Sequence, residues 1–366
     1  MTDGQPMRVG IAGAGPVAYG TAALLDSRGH GAALWSPVTG RTKALAEGAP
    51  LVTTGALEHS FSPGVADSAE ALVAGCDVVM ICLPGFGHRR VIDAIAPHIR
   101  PGQPVIVSSQ SSFGPLYLAD LLARRGITAP VAAWSTTTVT GRQPDPTSCI
   151  VVSVRARIDM CAVPVAAGPE MQALCERLFG ERFLLCDGLL AVTLSNLNPQ
   201  AHLGIALCNF TRMENGEVWS QNLNVTPGVG RLLEALDDER LAIAQALGLH
   251  PRSIFDHLHL SYHVPMADTV SGMFAAMQPM GMGHNGPPTA DSRYVTEDAP
   301  FGLWPTVLLG RITGREAVLH AAGVAMFSAI YGRDFAAEND LLPALGLERL
   351  SLKALVAACE TGRLPG

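Results

Sequence analysis

The stretch RVGIAGAGPVA, at residues 8–18, joins a short apolar strand to a glycine-rich turn that opens a helical pattern. The turn has the form G-x-G-x-x-A. In such a turn Gly13 permits the tight bend and Gly15 lets the backbone approach a pyrophosphate, while Ala18 allows the helix to pack closely on the strand. Phosphates bind at the start of such a helix, because its first amides are free and its dipole is positive there. The stretch therefore predicts a strand–turn–helix unit that binds a dinucleotide.

The second predicted strand, residues 31–35, ends where a dinucleotide-binding domain distinguishes between its cofactors. An enzyme that uses NAD usually has Asp or Glu at this end, which holds the ribose 2′-hydroxyl. Ser36 occupies the position here, and Thr39, Arg41 and Thr42 follow it. A hydroxyl and a cation suit a 2′-phosphate, which a carboxylate would repel. The sequence thus favours NADP(H) over NAD(H); the simpler alternative is that Arg41 lies on the exposed face of the next helix.

Another strand of the same sheet is predicted over residues 77–83, a nearly continuous apolar run that is typical of a strand covered on both faces. Its last residue, Leu83, and the following Pro84 would lie at the carboxyl edge, where open α/β sheets bind ligands. Together with Pro16 and Val17 at the start of the first helix, they are predicted to contact the cofactor. Further strands are predicted near residues 104–109, 131–134, 149–154, 160–165 and 182–186, with a helix near 169–179.

Asp187-Gly188 marks a change from short apolar runs to longer patterns with the 3.6-residue helical period. We therefore predict an α/β, Rossmann-type nucleotide-binding domain over residues 1–187, followed by an all-α substrate and dimerisation domain over residues 188–366. A loop rich in Gly, Pro and Met at residues 278–288 is expected to be functional, and its methionines could form part of a lid over a substrate pocket. Helices of this domain are predicted near residues 189–196, 199–214, 227–247, 251–262, 302–311, 314–329 and 351–361.

The composition excludes several classes of protein. With 366 residues, of which 48% are hydrophobic and 16% charged, the chain is long enough for two globular domains. A net charge of -7 without a basic cluster argues against a nucleic-acid partner. No apolar run reaches the roughly 18 residues that a membrane-spanning helix needs, and the N-terminus lacks the regions of a signal peptide. The eight cysteines form no CxxC pair and are typical of reduced core residues, so we expect a cytoplasmic protein.

The mid-chain stretch LSNLNPQAHLGI, at residues 194–205, places a histidine near the start of a predicted helix. Asn198 is the predicted N-cap and Pro199 the first helical residue, because an asparagine oxygen accepts a free amide and a proline has none to satisfy. His202 then lies one turn into the helix, where the dipole disfavours its charged form and suits proton exchange near neutral pH. A buried, hydrogen-bonded core histidine is the commoner alternative.

A second candidate segment, DSRYVTEDAPFGL, lies at residues 291–303. In the simpler interpretation, Arg293 and Glu297 form a surface ion pair. In the functional interpretation, Asp298 lies beside His202, where it fixes the imidazole tautomer and stabilises the imidazole cation. Arg293 would then offer a fork to a substrate carboxylate. The functional interpretation requires a contact between residues that are far apart in the chain.

On these motifs the chain resembles the octopine/nopaline (opine) dehydrogenase family over essentially its whole length, and bacterial short-chain members look closest. The family motif N-x-x-x-x-x-H, which ends in its catalytic histidine, matches Asn196 to His202. Its later motif R-Y-x-x-E-D matches residues 293–298. The resemblance implies that His202 is the proton donor and acceptor, that Asp298 is its partner, and that Arg293 contributes to substrate binding.

The resemblance also implies a reaction. In that family an α-keto acid and the amine of an amino acid form an imine, which NAD(P)H reduces, and the reverse reaction is an oxidative cleavage. The implied partners are therefore a small keto acid and an amine. We also expect a homodimer, because helical substrate domains of this size often dimerise.

Two alternatives stay open. The first is a ketone or keto-acid reductase with the same two-domain plan and no amine condensation, such as ketopantoate reductase, which relies on a catalytic lysine. This chain has only Lys43 and Lys353, and neither is placed for that role. The second is a non-catalytic NADP-sensing protein, in which the catalytic candidates would have no purpose. We predict no metal site, because the histidines at 257, 259 and 263 lack zinc-like spacing with cysteines or carboxylates.

Overall fold

The computed structural model describes residues 5–38 and 40–365, which form two compact units. The first unit contains the described residues up to Thr193 together with those from Lys353 onward, and the second contains Leu194–Leu352. The strands are β1 (Arg8–Ala12), β2 (Gly31–Trp35), β3 (Leu51–Gly55), β4 (His59–Phe61), β5 (Gly64–Val65), β6 (Val78–Ile81), β7 (Val105–Val107), β8 (Val131–Trp134), β9 (Val139–Arg142), β10 (Ser148–Val154), β11 (Ile158–Val163) and β12 (Phe183–Leu185). The helices are α1 (Pro16–Ser27), α2 (Lys43–Ala46), α3 (Ala69–Ala74), α4 (His88–Ile95), α5 (Gly114–Arg124), α6 (Gly168–Phe179), α7 (Leu189–Ser195), α8 (Asn198–Cys208), α9 (Phe210–Glu214), α10 (Pro227–Ala246), α11 (Ile254–Tyr262), α12 (Val270–Met277), α13 (Arg293–Thr296), α14 (Trp304–Thr313), α15 (Val318–Tyr331), α16 (Phe335–Glu338), α17 (Leu341–Leu345) and α18 (Leu352–Thr361).

The larger sheet of the first unit has the strand order β12-β11-β8-β7-β6-β1-β2-β5. From β5 to β8 all neighbouring strands are parallel, whereas β11 is antiparallel to β8 and parallel to β12. The chain first moves from β1 to one side, through β2 and β5, and then to the other side through β6, β7 and β8. The order therefore reverses between β1 and β6, which is where open α/β sheets bind ligands. The predicted Rossmann-type class is confirmed for this unit.

A smaller sheet of order β4-β3-β10-β9 was not predicted in this form. The strand predicted near residues 149–154 is β10, but the other three strands of the sheet, β3, β4 and β9, are absent from the prediction. These three strands are short and largely lack a strict alternation of apolar residues, so they carry a weak strand signal. Helix α1 lies against this sheet, where a Cβ on Gly20 would be 2.9 Å from Val139 Cγ2.

The second unit is helical, as predicted, and its core is formed by apolar side chains of α8, α10, α12 and α15 among others. The helix predicted near residues 199–214 is divided into α8 and α9. Asn209 follows α8, and its Nδ2 donates to the Ile205 carbonyl oxygen at 3.0 Å, a side-chain bond that competes with helical hydrogen bonding. Helix α12 is absent from the prediction, because its eight residues are too few to show a clear helical period.

The two compact units differ from the predicted domain limits of 1–187 and 188–366 in two respects. The division falls inside α7, and the C-terminal helix α18 belongs to the first unit. Beyond α18, the amide of Leu364 donates to Asp120 Oδ1 at 2.9 Å, which ties the end of the chain to α5. The domain limits themselves stay a prediction. Among the described residues, none of the helices combines the length and the apolar character that a membrane crossing needs.

Candidate active site

The turn after β1 has the geometry that its glycines predict. Gly13 has a φ of +152°, and a Cβ there would lie 2.1 Å from the carbonyl oxygen of Cys82, so only glycine fits. A Cβ on Gly15 would meet no atom within 4 Å, which leaves the backbone open to a ligand. Ala18 is fully buried. The residues present therefore fit a dinucleotide, since a tight turn is followed by free amides at the start of α1.

The other predicted cofactor contacts lie at the same edge of the larger sheet. Pro16 and Val17 are the first two residues of α1 and are half-buried. Leu83 and Pro84 follow β6, which is the parallel neighbour of β1. Because the carboxyl ends of parallel strands share one edge, all four residues lie where the strand order reverses.

The loop after β2 carries the residues that are predicted to select the cofactor. Ser36 Oγ accepts a hydrogen bond from the amide two residues further on at 3.2 Å, and Arg41 is exposed. Thr39 lies outside the described residues. Arg90 was not predicted as a contact of this loop. Its guanidinium donates to the Pro37 carbonyl oxygen at 3.1 Å, so it lies beside the loop. The pair of arginines at the start of α4 was the available signal.

His202 and Asp298 are in contact in the second unit, although 96 residues separate them in the chain. The imidazole Nδ1 lies 2.6 Å from Asp298 Oδ2, and each side chain is 20% exposed. A carboxylate on Nδ1 fixes the tautomer and stabilises the imidazolium, which leaves Nε2 to exchange protons. This is the contact that the functional interpretation requires.

The Asp298 carboxyl is held in an environment that disfavours its charge. Burial raises the pKa of Asp298 above its ordinary value, and Glu297 adds to the rise. The hydrogen bond and the positive charge of His202 oppose the shift, and so does Arg293. Because water solvates this carboxylate incompletely, its charge is stabilised by the imidazole proton. The titrations of the two groups are therefore coupled.

The start of α8 differs from the predicted cap. The helix begins at Asn198, and Leu197 occupies the N-cap position without a side-chain bond. Asn196 Oδ1 instead accepts the amide of Asn198 at 3.1 Å, so the prediction that Asn198 caps the helix was wrong. Pro199 lies in the first turn, where its missing amide costs nothing. His202 therefore still lies one turn into the helix.

Gly302 lets the segment that carries Asp298 approach the start of α8. Asp298 directly precedes a π-helical turn, Ala299–Leu303, which continues into α14. A Cβ on Gly302 would lie 2.4 Å from Pro199 Cγ, so a larger residue would push the two segments apart. Asn339 holds the same turn, since its Nδ2 donates to a carbonyl oxygen within it at 2.8 Å.

A buried ion pair holds α8 against α10. Asp237 and Arg240 are 4% and 3% exposed, and their charged atoms lie 2.7 Å apart. Asp237 Oδ1 also accepts a hydrogen bond from Gln200 Nε2 at 2.7 Å, two residues before His202. This network was not predicted. Asp237 and Arg240 lie in the run DDER, which is typical of a solvated helix face.

Arg293 pairs with Glu297, as the simpler interpretation expects. Arg293 Nε contacts Glu297 Oε2, and 63% of the Arg293 side chain is exposed. A guanidinium has five donors, so a bond through Nε leaves its outer nitrogens for a second carboxylate. The ion pair is therefore compatible with a role in substrate binding, which stays a prediction.

Tyr294 is a site residue that the sequence analysis missed. Its ring lies parallel to the imidazole of His202, with the ring centroids 3.5 Å apart and the planes inclined by 10°. Its hydroxyl donates to Gln221 Oε1 at 2.8 Å. Its place beside Arg293 in the quoted motif was the available signal, but the motif does not indicate the direction of the ring.

The histidines of α11 make local contacts. His259 Nδ1 lies 2.9 Å from the Val264 carbonyl oxygen, and His257 Nδ1 lies 3.4 Å from Ser261 Oγ. Within residues 5–38 and 40–365, no group of three or more His, Cys, Asp or Glu side chains is arranged to hold a metal ion.

Known proteins match nearly the whole length of the chain. A family model described as NAD/NADP octopine/nopaline dehydrogenase, alpha-helical domain, matches residues 185–331, a range that includes both His202 and Asp298. The curated opine dehydrogenase of Arthrobacter sp. (strain 1C) is 28% identical over 359 residues, which cover 96% of this chain and 98% of that protein.

Solved structures are similar to both units. Octopine dehydrogenase, in structures described with NADH and L-arginine or with NADH and pyruvate, matches with TM-scores of 0.81 and 0.79. Its identity is 16%, and the match covers 98% of this chain and 99% of that one. Yersinopine dehydrogenase with bound NADP+ matches with a TM-score of 0.71 at 17% identity, covering 98% of each chain. At these identities the likeness shows a common fold.

Proposed function

We propose that the chain is an NAD(P)H-dependent opine dehydrogenase of the octopine/nopaline dehydrogenase family. Such an enzyme condenses an α-keto acid with the amine of an amino acid and reduces the resulting imine; the reverse reaction oxidises the CH–NH bond of the product. The name of the Arthrobacter relative and the octopine dehydrogenase structures with L-arginine or pyruvate support these substrate classes. The nicotinamide supplies the hydride when it is bound.

The contact between His202 and Asp298 carries this proposal. Condensation of an amine with a keto acid gives a carbinolamine, whose hydroxyl must take up a proton before it leaves as water. His202 Nε2 donates that proton, and Asp298 stabilises the imidazolium that holds it beforehand. The exposed guanidinium of Arg293 binds a substrate carboxylate. Keto acid, amine, NAD(P)H and one proton thus give the secondary amine, NAD(P)+ and water.

The test is a cofactor-oxidation assay that crosses a panel of keto acids with a panel of amino acids. We expect oxidation that requires both substrates and falls by about 10²- to 10⁴-fold in His202→Asn, with unchanged binding of NADPH. His259→Asn, an exposed histidine of the same unit, is the matched control and should keep wild-type turnover. Oxidation with a keto acid alone would favour a ketone reductase, and full turnover by His202→Asn would contradict the proposed role.

We further propose that NADP(H) is preferred over NAD(H). The hydroxyl of Ser36 and the cations of Arg41 and Arg90 support this preference, since they lie on or beside the loop after β2. The ratio of kcat/KM for NADPH and NADH measures it. Arg41→Ala and Arg90→Ala should each lower kcat/KM for NADPH by roughly 10-fold and leave that for NADH nearly unchanged. A wild-type preference for NADH would contradict the proposal.

We also propose a homodimer in the cytoplasm. Val318, Met326 and Ile330 expose between 44% and 60% of their surfaces on α15, and an exposed apolar helix face supports self-association. The eight cysteines all lie in the described ranges; none of them is in a disulfide and six are buried, as suits a reducing compartment. Light scattering of the purified protein tests the oligomeric state, and a monomer would contradict the proposed dimer. Fractionation of the source cells tests the location, and a secreted protein would contradict the proposed one.

A further inference from the structure

The contact between Tyr294 and His202 is unusual for two neutral aromatic rings. Such rings prefer offset or edge-on arrangements with centroids about 4.5–7 Å apart, because their electron-rich faces repel each other. Here the centroids are 3.5 Å apart and the planes nearly parallel. A cation over an aromatic face is attracted instead. The stacked arrangement therefore suits the protonated imidazole better than the neutral one.

We propose that Tyr294 is a positioning residue for His202, which holds the imidazole flat against its ring and favours its protonated form, and that Gln221 fixes Tyr294 in this place. The inference rests on the proposed role of His202 as proton donor. Asp298 holds the edge of the imidazole through Nδ1, whereas Tyr294 holds its face. Together they restrict both the position of the ring and its rotation, so that Nε2 presents its proton in one direction.

Gln221 connects this pair of rings to the loop at residues 278–288. Its side-chain Oε1 accepts from the Tyr294 hydroxyl at 2.8 Å, and its backbone amide donates to the His284 carbonyl oxygen at 2.8 Å. The loop is held further at Trp219, whose Nε1 donates to the Pro287 carbonyl oxygen at 3.2 Å. The glycine-rich loop is thus fixed to the segment that orients Tyr294.

Helices α10 and α15 pack against α8, and each carries members of a charged pair. The Asp237–Arg240 pair on α10 is buried and mutually neutralised, and His320 on α15 pairs with Glu239. Burial raises the pKa of Tyr294 to about 12, so its hydroxyl stays neutral at the pH of the assay. Among the described residues, the titratable groups that act on Tyr294 or Asp298 include Glu297, Arg293 and Tyr262.

The experiment compares variants that remove the ring with variants that keep it. Tyr294→Leu removes the aromatic face, Tyr294→Phe keeps the face and loses the bond to Gln221, and Gln221→Leu removes the same bond from the other side. Tyr331→Phe is the matched control, because it deletes a hydroxyl that donates to the Ala290 carbonyl oxygen in the same unit. For each variant the imidazole of His202 is titrated by NMR, with its signal assigned through His202→Asn, and kcat is measured against pH.

We expect Tyr294→Leu to lower the NMR midpoint of His202 by about half a pH unit, which corresponds to the attraction of an exposed cation to an aromatic face. The high-pH limb of the kcat profile should move with it, and kcat should fall by roughly 10-fold. Tyr294→Phe and Gln221→Leu should keep the midpoint near its wild-type value and lose only a few-fold in kcat. Tyr331→Phe should change neither quantity.

An unchanged midpoint in Tyr294→Leu would overturn the proposal, and so would equal shifts in Tyr294→Leu and Tyr294→Phe. If Tyr294→Leu does not fold, Tyr294→Met also lacks the ring and takes its place in the comparison. The NMR midpoint does not depend on turnover. Full activity of His202→Asn would therefore refute the proposed role of His202 as proton donor, while the effect of Tyr294 on the imidazole could still be measured.

Discussion

Two histidine–carboxylate pairs in the second unit have nearly the same length and different surroundings. His202 Nδ1 lies 2.6 Å from Asp298, and His320 Nδ1 lies 2.8 Å from Glu239. His202 is 20% exposed and His320 only 2%. Glu239 also accepts the backbone amides of Leu319 and His320 at the start of α15, at 2.7 and 3.2 Å. The second pair is thus a buried helix cap, whereas the first keeps an exposed surface for a reaction partner.

The pKa values of the two carboxyl groups are also shifted in opposite directions. Burial raises the pKa of Asp298 above its ordinary value. Burial alone would raise the pKa of Glu239 as well, but the hydrogen bonds from His320 and from the two amides hold it below 4.5. A short contact between histidine and carboxylate therefore does not identify a catalytic pair. The other donors to the carboxylate and the exposure of the imidazole distinguish the two cases.

The largest expected effect is a difference in kcat between variants of the two carboxyl groups. Asp298→Asn should lower kcat by about 10²- to 10⁴-fold, because the amide no longer stabilises the imidazolium. The melting temperature should change little. Glu239→Gln, the corresponding change in the other pair, should keep kcat within a few-fold of the wild type. Similar activity losses in the two variants would show that the distinction drawn from exposure is mistaken.

Gly302→Ala tests whether the contact between His202 and Asp298 depends on the close approach of the two segments that carry them. The new Cβ would lie 2.4 Å from Pro199 Cγ, so Asp298 and the start of α8 must move apart. We expect a loss of about 1–3 kcal/mol in the free energy of unfolding, together with a fall in kcat. Denaturant titration and steady-state kinetics measure the two quantities. Gly314→Ala is the control for kcat, because a Cβ there would meet no atom within 4 Å. It should cost stability through its left-handed φ of +67° but leave kcat unchanged.

Glu239→Gln tests the structural pair by its stability. The pKa of Glu239 is depressed in the folded protein, so its charge stabilises the fold at a pH above the ordinary pKa of a glutamate. This contribution is lost as the pH falls through the depressed pKa. We expect the variant to be less stable than the wild type by about 1–2 kcal/mol at pH 7. The difference should shrink in acid, and a difference that grows toward low pH would contradict the assignment.

The smallest effect on the kinetics is expected at Arg293, which lies in the same segment as Asp298. Arg293→Lys keeps the charge and loses the planar fork, so KM for the keto acid or the amino acid should rise by roughly 3- to 10-fold at nearly constant kcat. Arg333→Lys, which removes a comparable surface arginine paired with Glu338, is the control. A fall in kcat with unchanged KM would indicate that Arg293 acts through Asp298 rather than on the substrate.

The turn after β1 could be predicted because the residues that decide it are contiguous. Gly13, Gly15 and Ala18 follow one another within a single turn, and each has one physical requirement that sequence spacing expresses. The contact between His202 and Asp298 joins distant segments, so the residues offered it only as one of two interpretations, and the family resemblance favoured it. Their roles in catalysis stay a proposal.

The remaining features depend on packing that leaves no pattern in the sequence. The stacking of Tyr294 follows from the direction of one side chain, and the burial of Asp237 with Arg240 follows from which helix face meets α8. Gly302 is one glycine among 38, and only the structure shows that Pro199 lies against it. The short strands β3, β4 and β9 were missed for a related reason, since their pairing partners and not their own residues determine them.

The place of α18 has a consequence for how the chain folds during synthesis. The first unit receives its last helix from residues that follow the whole of the second unit, and Leu364 bonds to Asp120 across most of the chain. A ribosome therefore releases all of the helical unit before the nucleotide-binding unit has its final contacts. Domains that are continuous in sequence can fold in the order of synthesis, but this nucleotide-binding unit must wait until α18 has been made. A C-terminal truncation before α18 would accordingly weaken the unit encoded first.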